Sequence, residues 1–396
     1  MEKEQIVVVG GYGSVGQTIC QRLSELFPEQ VYAAGRNIAR AEQFSRTTKG
    51  KVKPLQWDIK QHPASTIDHD YAESHVIIQS HIQDQFEQLY QWSNVKLVIM
   101  CLDQHDTIWV QYCLSAGIHY IDISAKDSFL YQLEQLNSAS WQATALLSVG
   151  LAPGLTNLLA QHVCTLLDHI DQLELSVVLG LGEHHGQAAI KWTVDQLNTS
   201  FPVRKQGEWS EVHSFTEGRK VSLGTALPYQ YVYRFPFSDQ QALARTTEIP
   251  TISTRLGFDS VVITRIIAGL QKIGCFRLLS IPWIRRAIVA IFSNVHIGSE
   301  QYGIQAEASG LYDNQSVSVS GWLTGYHQSI VTAEVTAIVA EILYTSNMPY
   351  GIYHLQQQIS WEQVITRLQQ VIHIEWGIEH DPIDRAESSI SVSALK

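Results

Sequence analysis

The chain has 396 residues, too many for one ordinary hydrophobic core, so two domains are expected. Its 45% hydrophobic and 16% charged residues suit a packed globular protein and exclude a disordered one. A net charge of −11 excludes the basic footprint of a nucleic-acid binder, and five scattered cysteines (Cys20, Cys101, Cys113, Cys164, Cys275) with no CxxC pair read as reduced thiols rather than a disulfide framework or zinc site.

Met1 to Gln5 run straight into a strand and leave no room for a secretory leader. No apolar run reaches the length of a membrane span without a charge, and a cytoplasmic protein with no bound metal is expected. Ile6-Val7-Val8-Val9 is a continuous β-branched run, the pattern of a strand buried on both faces of a parallel sheet. A glycine-rich turn follows. Residues 17–26 then space Ile19, Leu23 and Leu26 as an amphipathic helix that Phe27-Pro28 ends, and residues 31–34 form a second strand. Together they make one right-handed βαβ unit.

The alternation continues with a strand at 97–101, a helix at 107–116, a strand at 119–123, a helix at 128–140 and a strand at 145–149. Either 52–57 or 76–78 supplies the third strand, with a polar insertion between them. After Gly150 the rhythm changes to an expected helix at 155–167, a strand at 172–179 and a helix at 188–197. Strands at 208–221 and 229–237 and a hairpin of 304–312 with 316–324 around Asp313-Asn314 suggest an antiparallel sheet. Helices at 329–344 and 361–371 and a polar tail complete the chain. The expected fold is α/β, an N-terminal Rossmann doubly wound parallel sheet with a second α+β domain. The expected divisions are 1–150 for the nucleotide domain and 151–328 for substrate binding and dimerisation. Helices at 329–378 are expected to pack back near the Rossmann domain, with a tail at 379–396.

Gly11, Gly13 and Gly16 form a GxGxxG pattern between a predicted strand and a predicted helix, within Gly11-Tyr12-Gly13-Ser14-Val15-Gly16. Gly11 permits the tight turn, Gly13 lets backbone N–H groups approach a pyrophosphate, and Gly16 lets the helix pack closely on the sheet. An NAD-preferring site would carry Asp or Glu at the end of the second strand. Here Ala34-Gly35-Arg36-Asn37 carries an arginine suited to a 2′-phosphate, so NADP(H) is favoured over NAD(H).

Those motifs, together with His119-Tyr120-Ile121-Asp122-Ile123-Ser124 and Gly150-Leu151-Ala152-Pro153-Gly154-Leu155-Thr156-Asn157, resemble the saccharopine dehydrogenase family. The similarity extends over roughly the whole chain, its specific motifs lying in the first 160 residues. It implies an enzyme that oxidises or reduces a C–N bond of an amino-acid-derived substrate such as saccharopine, carboxynorspermidine or lysine. It also implies a homodimer formed through the second domain. The chain departs from the family pattern at 56–94 and at Cys101-Leu102-Asp103-Gln104-His105, which bears on the substrate rather than the fold.

Chemistry is expected beyond the C-terminal ends of the parallel strands, facing the second domain. Three loops lie there, carrying Asp103, His105 and Asp106, then Asp122, Ser124 and Lys126, then the 151–157 turn. Asp122 and Ser124 are assigned to orienting the nicotinamide half, and Pro153 and Gly154 to shaping it. Asp122 and His185 are the catalytic candidates, His185 because an imidazole titrates near neutrality. Arg204, Arg219 and Arg234 are candidate carboxylate clamps by residue type alone. Residues 261–292 hold five basic side chains and no acidic one among Ile, Leu, Val, Phe and Trp. They read as a buried helix pair with snorkelling arginines in preference to a lid or a membrane-surface segment. Two further functions share these features, a cofactor-binding sensor without turnover and a peripheral-membrane reductase of a lipid-like substrate.

Overall fold

The computed structural model describes residues 3–59, 92–183, 187–294 and 298–382. The first half alternates β1 (Gln5–Val9), α1 (Ser14–Leu26), β2 (Val31–Gly35), α2 (Ile38–Thr47), β3 (Val52–Gln56), β4 (Val95–Met100), α3 (Ile108–Ser115), β5 (His119–Asp122), α4 (Asp127–Glu134) and β6 (Thr144–Leu147). The third strand is therefore the 52–57 alternative. Residues 76–78, and the insertion expected around them, lie outside the described residues. The helix expected at 128–140 closes early, at Glu134.

The second half runs α5 (Thr156–Cys164), β7 (His169–Leu179), α6 (Gln187–Gln196), β8 (Ser200–Lys205), β9 (Glu208–His213), β10 (Arg219–Leu223), β11 (Leu227–Arg234), α7 (Ser238–Thr246) and β12 (Thr251–Phe258). It continues through α8 (Val261–Lys272), α9 (Pro282–Asn294), β13 (Gln301–Tyr312), β14 (Gln315–Tyr326), α10 (Gln328–Thr345), β15 (Gly351–His354), α11 (Trp361–Val371) and β16 (Ile374–Pro382). The strand expected over 208–221 is two strands, β9 and β10. The polar tail expected from 379 begins inside β16, where Glu379 and His380 pair with Ser320 and Val319 of β14.

Two sheets result. The first has seven strands in the order β15-β6-β5-β4-β1-β2-β3, every pair parallel. The strand order reverses between β1 and β4, the switch point where a doubly wound sheet binds its ligand. The second sheet has nine strands, with β10-β11-β12-β7-β13-β14-β16 as its path and β8 and β9 branching from β12. It is mixed, since β12 and β7 run parallel. The β13–β14 hairpin turns at Asp313 and Asn314, both at positive φ (50° and 60°), as a tight two-residue turn requires.

The sheets share one core. α10 is buried along nearly its whole length, from Val331 through Val335 and Val339 to Leu343, so it has no broad face for water. It packs on α1, β4 and β5 of the first sheet and on α11. α5 covers β13 and β14 of the second sheet. Ile6, Ile99, Leu158, Val177 and Val335 accordingly belong to one continuous apolar cluster.

A polar clamp joins the two halves at the edge of the first sheet. His354, on β15, bridges Ser148 Oγ and Glu134 Oε1 through its two ring nitrogens, at 2.8 Å each. Arg245, on α7, donates to both oxygens of Glu134 at 2.6 Å and to Asp127 at 2.7 Å. Burial raises the Glu134 carboxyl, but hydrogen bonds from His354 and Arg245 outweigh it and hold the group below the usual carboxylate range. Removing Arg245 takes the guanidinium from a largely enclosed carboxylate and leaves it the His354 ring, so Arg245→Ala should lower the unfolding free energy by about 2 kcal/mol. Urea titrations of the variant and the parent read this directly, and coincident midpoints would show the clamp to be idle.

Candidate active site

The chain leaves β1 through Gly10, whose φ of +80° lies in the left-handed region. The Gly10 N–H donates to the Ala34 carbonyl at 2.8 Å, and the Gly13 N–H to the Gly10 carbonyl at 2.8 Å, which folds the turn against β2. A Cβ at Gly11 would lie 2.7 Å from the Val8 carbonyl oxygen and 2.8 Å from Ala33 Cα, so only glycine passes there. Gly13 is extended and no side chain caps α1, leaving the first-turn N–H groups for a ligand. This glycine cradle at an uncapped helix start fits a dinucleotide pyrophosphate.

Tyr12 points away from that cradle. Its ring packs against Gly35, its hydroxyl accepts from the Asn37 N–H at 3.0 Å, and the Arg40 guanidinium stands 5.2 Å from the ring centroid. Asn37 caps α2 by accepting the Arg40 N–H at 3.2 Å. Arg36 and Arg40 are both exposed at the end of β2, and neither meets a carboxylate among the described residues. Sequence reasoning stopped at Arg36. The signal for Arg40 was available, a second arginine in the first turn of the helix that follows β2.

Beyond the turn a cavity of about 660 Å³ opens between the C-terminal edge of the parallel sheet and the second domain. Gly13, Ser14, Val15, Gly16, Ser124 and Pro153 line its nucleotide side. The opposite wall is apolar, built from Leu181, Ile190, Trp192, Phe258, Ile267 and Phe292. Among the described residues, Lys126 is the one basic and Asp103 the one acidic side chain in the lining. The 151–157 turn enters through a cis Ala152–Pro153 peptide, and the Gly154 N–H donates to Asn157 Oδ1 at 3.0 Å. Pro153 lines the cavity while Gly154 sits behind it, close to the Ser148 carbonyl.

Asp122 lies beneath this surface, fully buried and outside the lining. Its Oδ1 accepts the Ser124 N–H at 2.7 Å and its Oδ2 accepts Gln104 Nε2 at 2.9 Å. It thus ties the loop after β4 to the loop after β5. Burial pushes its carboxyl up to about 7, against the pull of these hydrogen bonds. Gln104 Oε1 is buried without a hydrogen-bond partner, so turning that amide over would offer an acceptor to a protonated Asp122.

The second-domain candidates are dispersed. His185 lies outside the described residues. Arg204 donates to the Ala244 and Thr247 carbonyls at 3.0 and 2.9 Å. Arg219 pairs with Glu307 and Arg234 with Glu217. None of these three arginines lines the cavity, because each is held by structural partners. The segment 261–292 is α8, a short 3-10 turn and α9, and it is not a buried pair. Ile263, Ile267 and Phe292 face the cavity, whereas Val262, Ile266, Ile273 and Trp283 remain exposed.

The family description "Saccharopine dehydrogenase NADP binding domain" matches residues 6–146. Carboxyaminopropylagmatine dehydrogenase from Synechocystis sp. is 24% identical over 239 residues, 56% of this chain and 54% of that protein, so the chain spans about half the length of the curated relative it matches. Apo saccharopine dehydrogenase (L-Glu forming) from Saccharomyces cerevisiae superposes with a TM-score of 0.59, covering 95% of this chain and all of that one at 11% identity. At such identity the likeness concerns the fold, a parallel-sheet domain followed by a mixed-sheet domain. Among the described residues no helix is long and apolar enough to cross a membrane.

The raised Asp122 carboxyl has a consequence for stability. Its ordinary value is 3.8, so between about pH 4 and pH 7 the folded protein keeps a proton that the unfolded chain releases. This group therefore withdraws stability as pH rises through that window. The carboxamide introduced by Asp122→Asn stays neutral throughout, so the stability of the parent relative to the variant should fall between about pH 4 and pH 7. Chemical denaturation at each pH tests this, and a pH-independent difference would show that Asp122 titrates as an ordinary carboxylate.

Proposed function

We propose that the protein is an NADP(H)-dependent oxidoreductase acting on a C–N bond, a reading supported by the match of residues 6–146 to the saccharopine dehydrogenase NADP binding domain. The observation that carries the proposal is the shared cavity. The uncapped glycine turn forms one side and the second domain the other, so a dinucleotide held by its pyrophosphate extends toward a partly open substrate space. Bound NADP(H) supplies a hydride to the substrate carbon or takes one from it.

In the reductive direction, an imine gains hydride at carbon and a proton at nitrogen, giving a secondary amine. Lys126 and Asp103 are the ionisable side chains in the described lining that can manage that proton or hold a charged end of the substrate. His185 is retained as a candidate for the same role. The C–N assignment draws on the Synechocystis relative, whose name describes the dehydrogenase of a carboxyl-bearing aminopropyl amine. The apolar far wall favours a substrate with an apolar body beyond its reacting carbon, a class the relative's name does not describe.

Preference for NADP(H) is assigned to Arg36 and Arg40, two exposed cations at the end of β2 where no carboxylate stands to grip a ribose 2′-hydroxyl. Losing charge-assisted hydrogen bonds of about 1.5–3 kcal/mol predicts that Arg36→Ala weakens NADPH binding about 10- to 100-fold with little change for NADH. Titration of nicotinamide fluorescence measures both. Unchanged NADPH affinity in an Arg36→Ala, Arg40→Ala double variant would remove the basis for this preference.

For the reaction itself, the purified protein should consume NADPH when offered imine-forming pairs of a keto acid and an amine, faster as the amine's apolar part lengthens. Tight NADPH binding without turnover on any such pair would point to a cofactor sensor. Lys126→Met should raise KM for a carboxylate-bearing substrate if the lysine binds it, or flatten the pH profile of kcat if it carries the proton. An effect on neither excludes Lys126 from the site.

A further inference from the structure

Helix α8 carries one broad apolar arc, part of it turned to the cavity and part turned outward. Ile263 and Ile267 turn inward to the cavity, while Val262, Ile266, Leu270 and Ile273, spaced to share one helical face, turn outward. The outward side chains are far from covered, with relative exposures of 68% for Val262, 56% for Ile266 and 73% for Ile273. The 3-10 turn adds Leu278 and α9 adds Trp283, itself 67% exposed. An apolar arc wider than the cavity can cover leaves its outer part for a second apolar medium, and scattered surface hydrophobes do not fall into one stripe in this way.

The charges specify the medium. The same stretch carries Arg265, Lys272, Arg277, Arg285 and Arg286 and no acidic residue, in a chain whose net charge is −11. Arg285 is committed to Asp195 of α6, and Arg265 stacks 5.3 Å from the Tyr231 ring. Lys272 and Arg277 are exposed and meet no carboxylate among the described residues. The nearby acid Asp259 is occupied by Ser299. A second copy of the chain joined by a two-fold axis through this patch would set these cations against their own equivalents. An anionic lipid surface matches both the apolar stripe and the cations, with tryptophan at the interface level.

We propose that the outer face of α8, the 3-10 turn and α9 docks the protein on an anionic phospholipid bilayer, with the apolar cavity behind the same helices. Ile291 belongs at once to the cavity lining and to the exposed surface, so the cavity wall reaches the docking face. The arrangement suits a substrate whose hydrocarbon part passes from the bilayer into the cavity. Docking stands apart from the reaction proposed above, because vesicle binding is read without turnover.

The test is co-sedimentation of the full chain with vesicles of phosphatidylcholine alone and of phosphatidylcholine mixed equally with phosphatidylglycerol. Binding is expected to the mixed vesicles, much less to the neutral ones, and to weaken with added salt. Lys272→Ala combined with Arg277→Ala should weaken it about 25-fold, about fivefold per cation, while Ile266→Ser with Ile273→Ser should abolish it. NADPH affinity, measured on the same preparations, reports that each variant is folded, since none of these four side chains lines the cavity. Absence of binding by the folded parent overturns the proposal, as does equal binding to neutral vesicles. A dimer in sedimentation equilibrium that Ile266→Ser with Ile273→Ser dissociates would identify the face as a contact between copies and overturn it likewise.

Discussion

Everything in this molecule is arranged around a helix that has no side to give to water. α10 is buried on most of its circumference, and the chain encloses it between the nucleotide sheet, the interdomain turn and α11. α1, β4 and β5 meet it from the nucleotide side, and Gly150 of the interdomain turn lies against its Thr332, where a Cβ would come within 3.2 Å. With the two sheets sharing one core, the space left between them is a cavity whose two walls belong to the same packed interior. The glycine turn and the apolar wall are held opposite one another as a result of that packing.

Much of this was legible in the sequence where periodicity and burial agree. β1, β4 and β6 are short runs of apolar residues buried on both faces, and the glycine turn between β1 and α1 announces its own ligand chemistry. Legibility failed where polar side chains are buried and paired. β12, with Ser253, Thr254 and Arg255 inside, corresponds to no expected element, yet Ser253 donates to Glu174 at 2.6 Å and Thr254 to Asp239 at 2.6 Å. α7 opens with Ser238, Asp239, Gln240 and Gln241, all buried, and Gln240 donates to the Phe235 and Phe237 carbonyls. Such elements are specified by partners distant in sequence, which no local pattern carries.

The same limit applies to the site. The residues that cradle a pyrophosphate are contiguous and could be named. The residues facing them come from α6, β12, α8 and α9, and their common property, an apolar wall, emerges only when these elements meet. Arginine content suggested clamps in the second domain. In three dimensions Arg204, Arg219 and Arg234 brace the second sheet and its helices, because a buried strand edge uses the same guanidinium geometry that would hold a substrate carboxylate.

The position of β15 reaches into how the protein is made. His354 completes the parallel sheet beside β6, 206 residues after its partner Ser148 in the chain. Until that segment emerges during synthesis, β6 presents an open row of backbone donors and acceptors, the kind of edge that recruits a wrong neighbour. The closing contact spans a long loop, so it forms late and slowly compared with local pairings. A nucleotide domain cut from this protein at residue 150 would lack its outermost strand and the helix that fills its core, and the ability to hold a dinucleotide is in that sense a property of the finished chain.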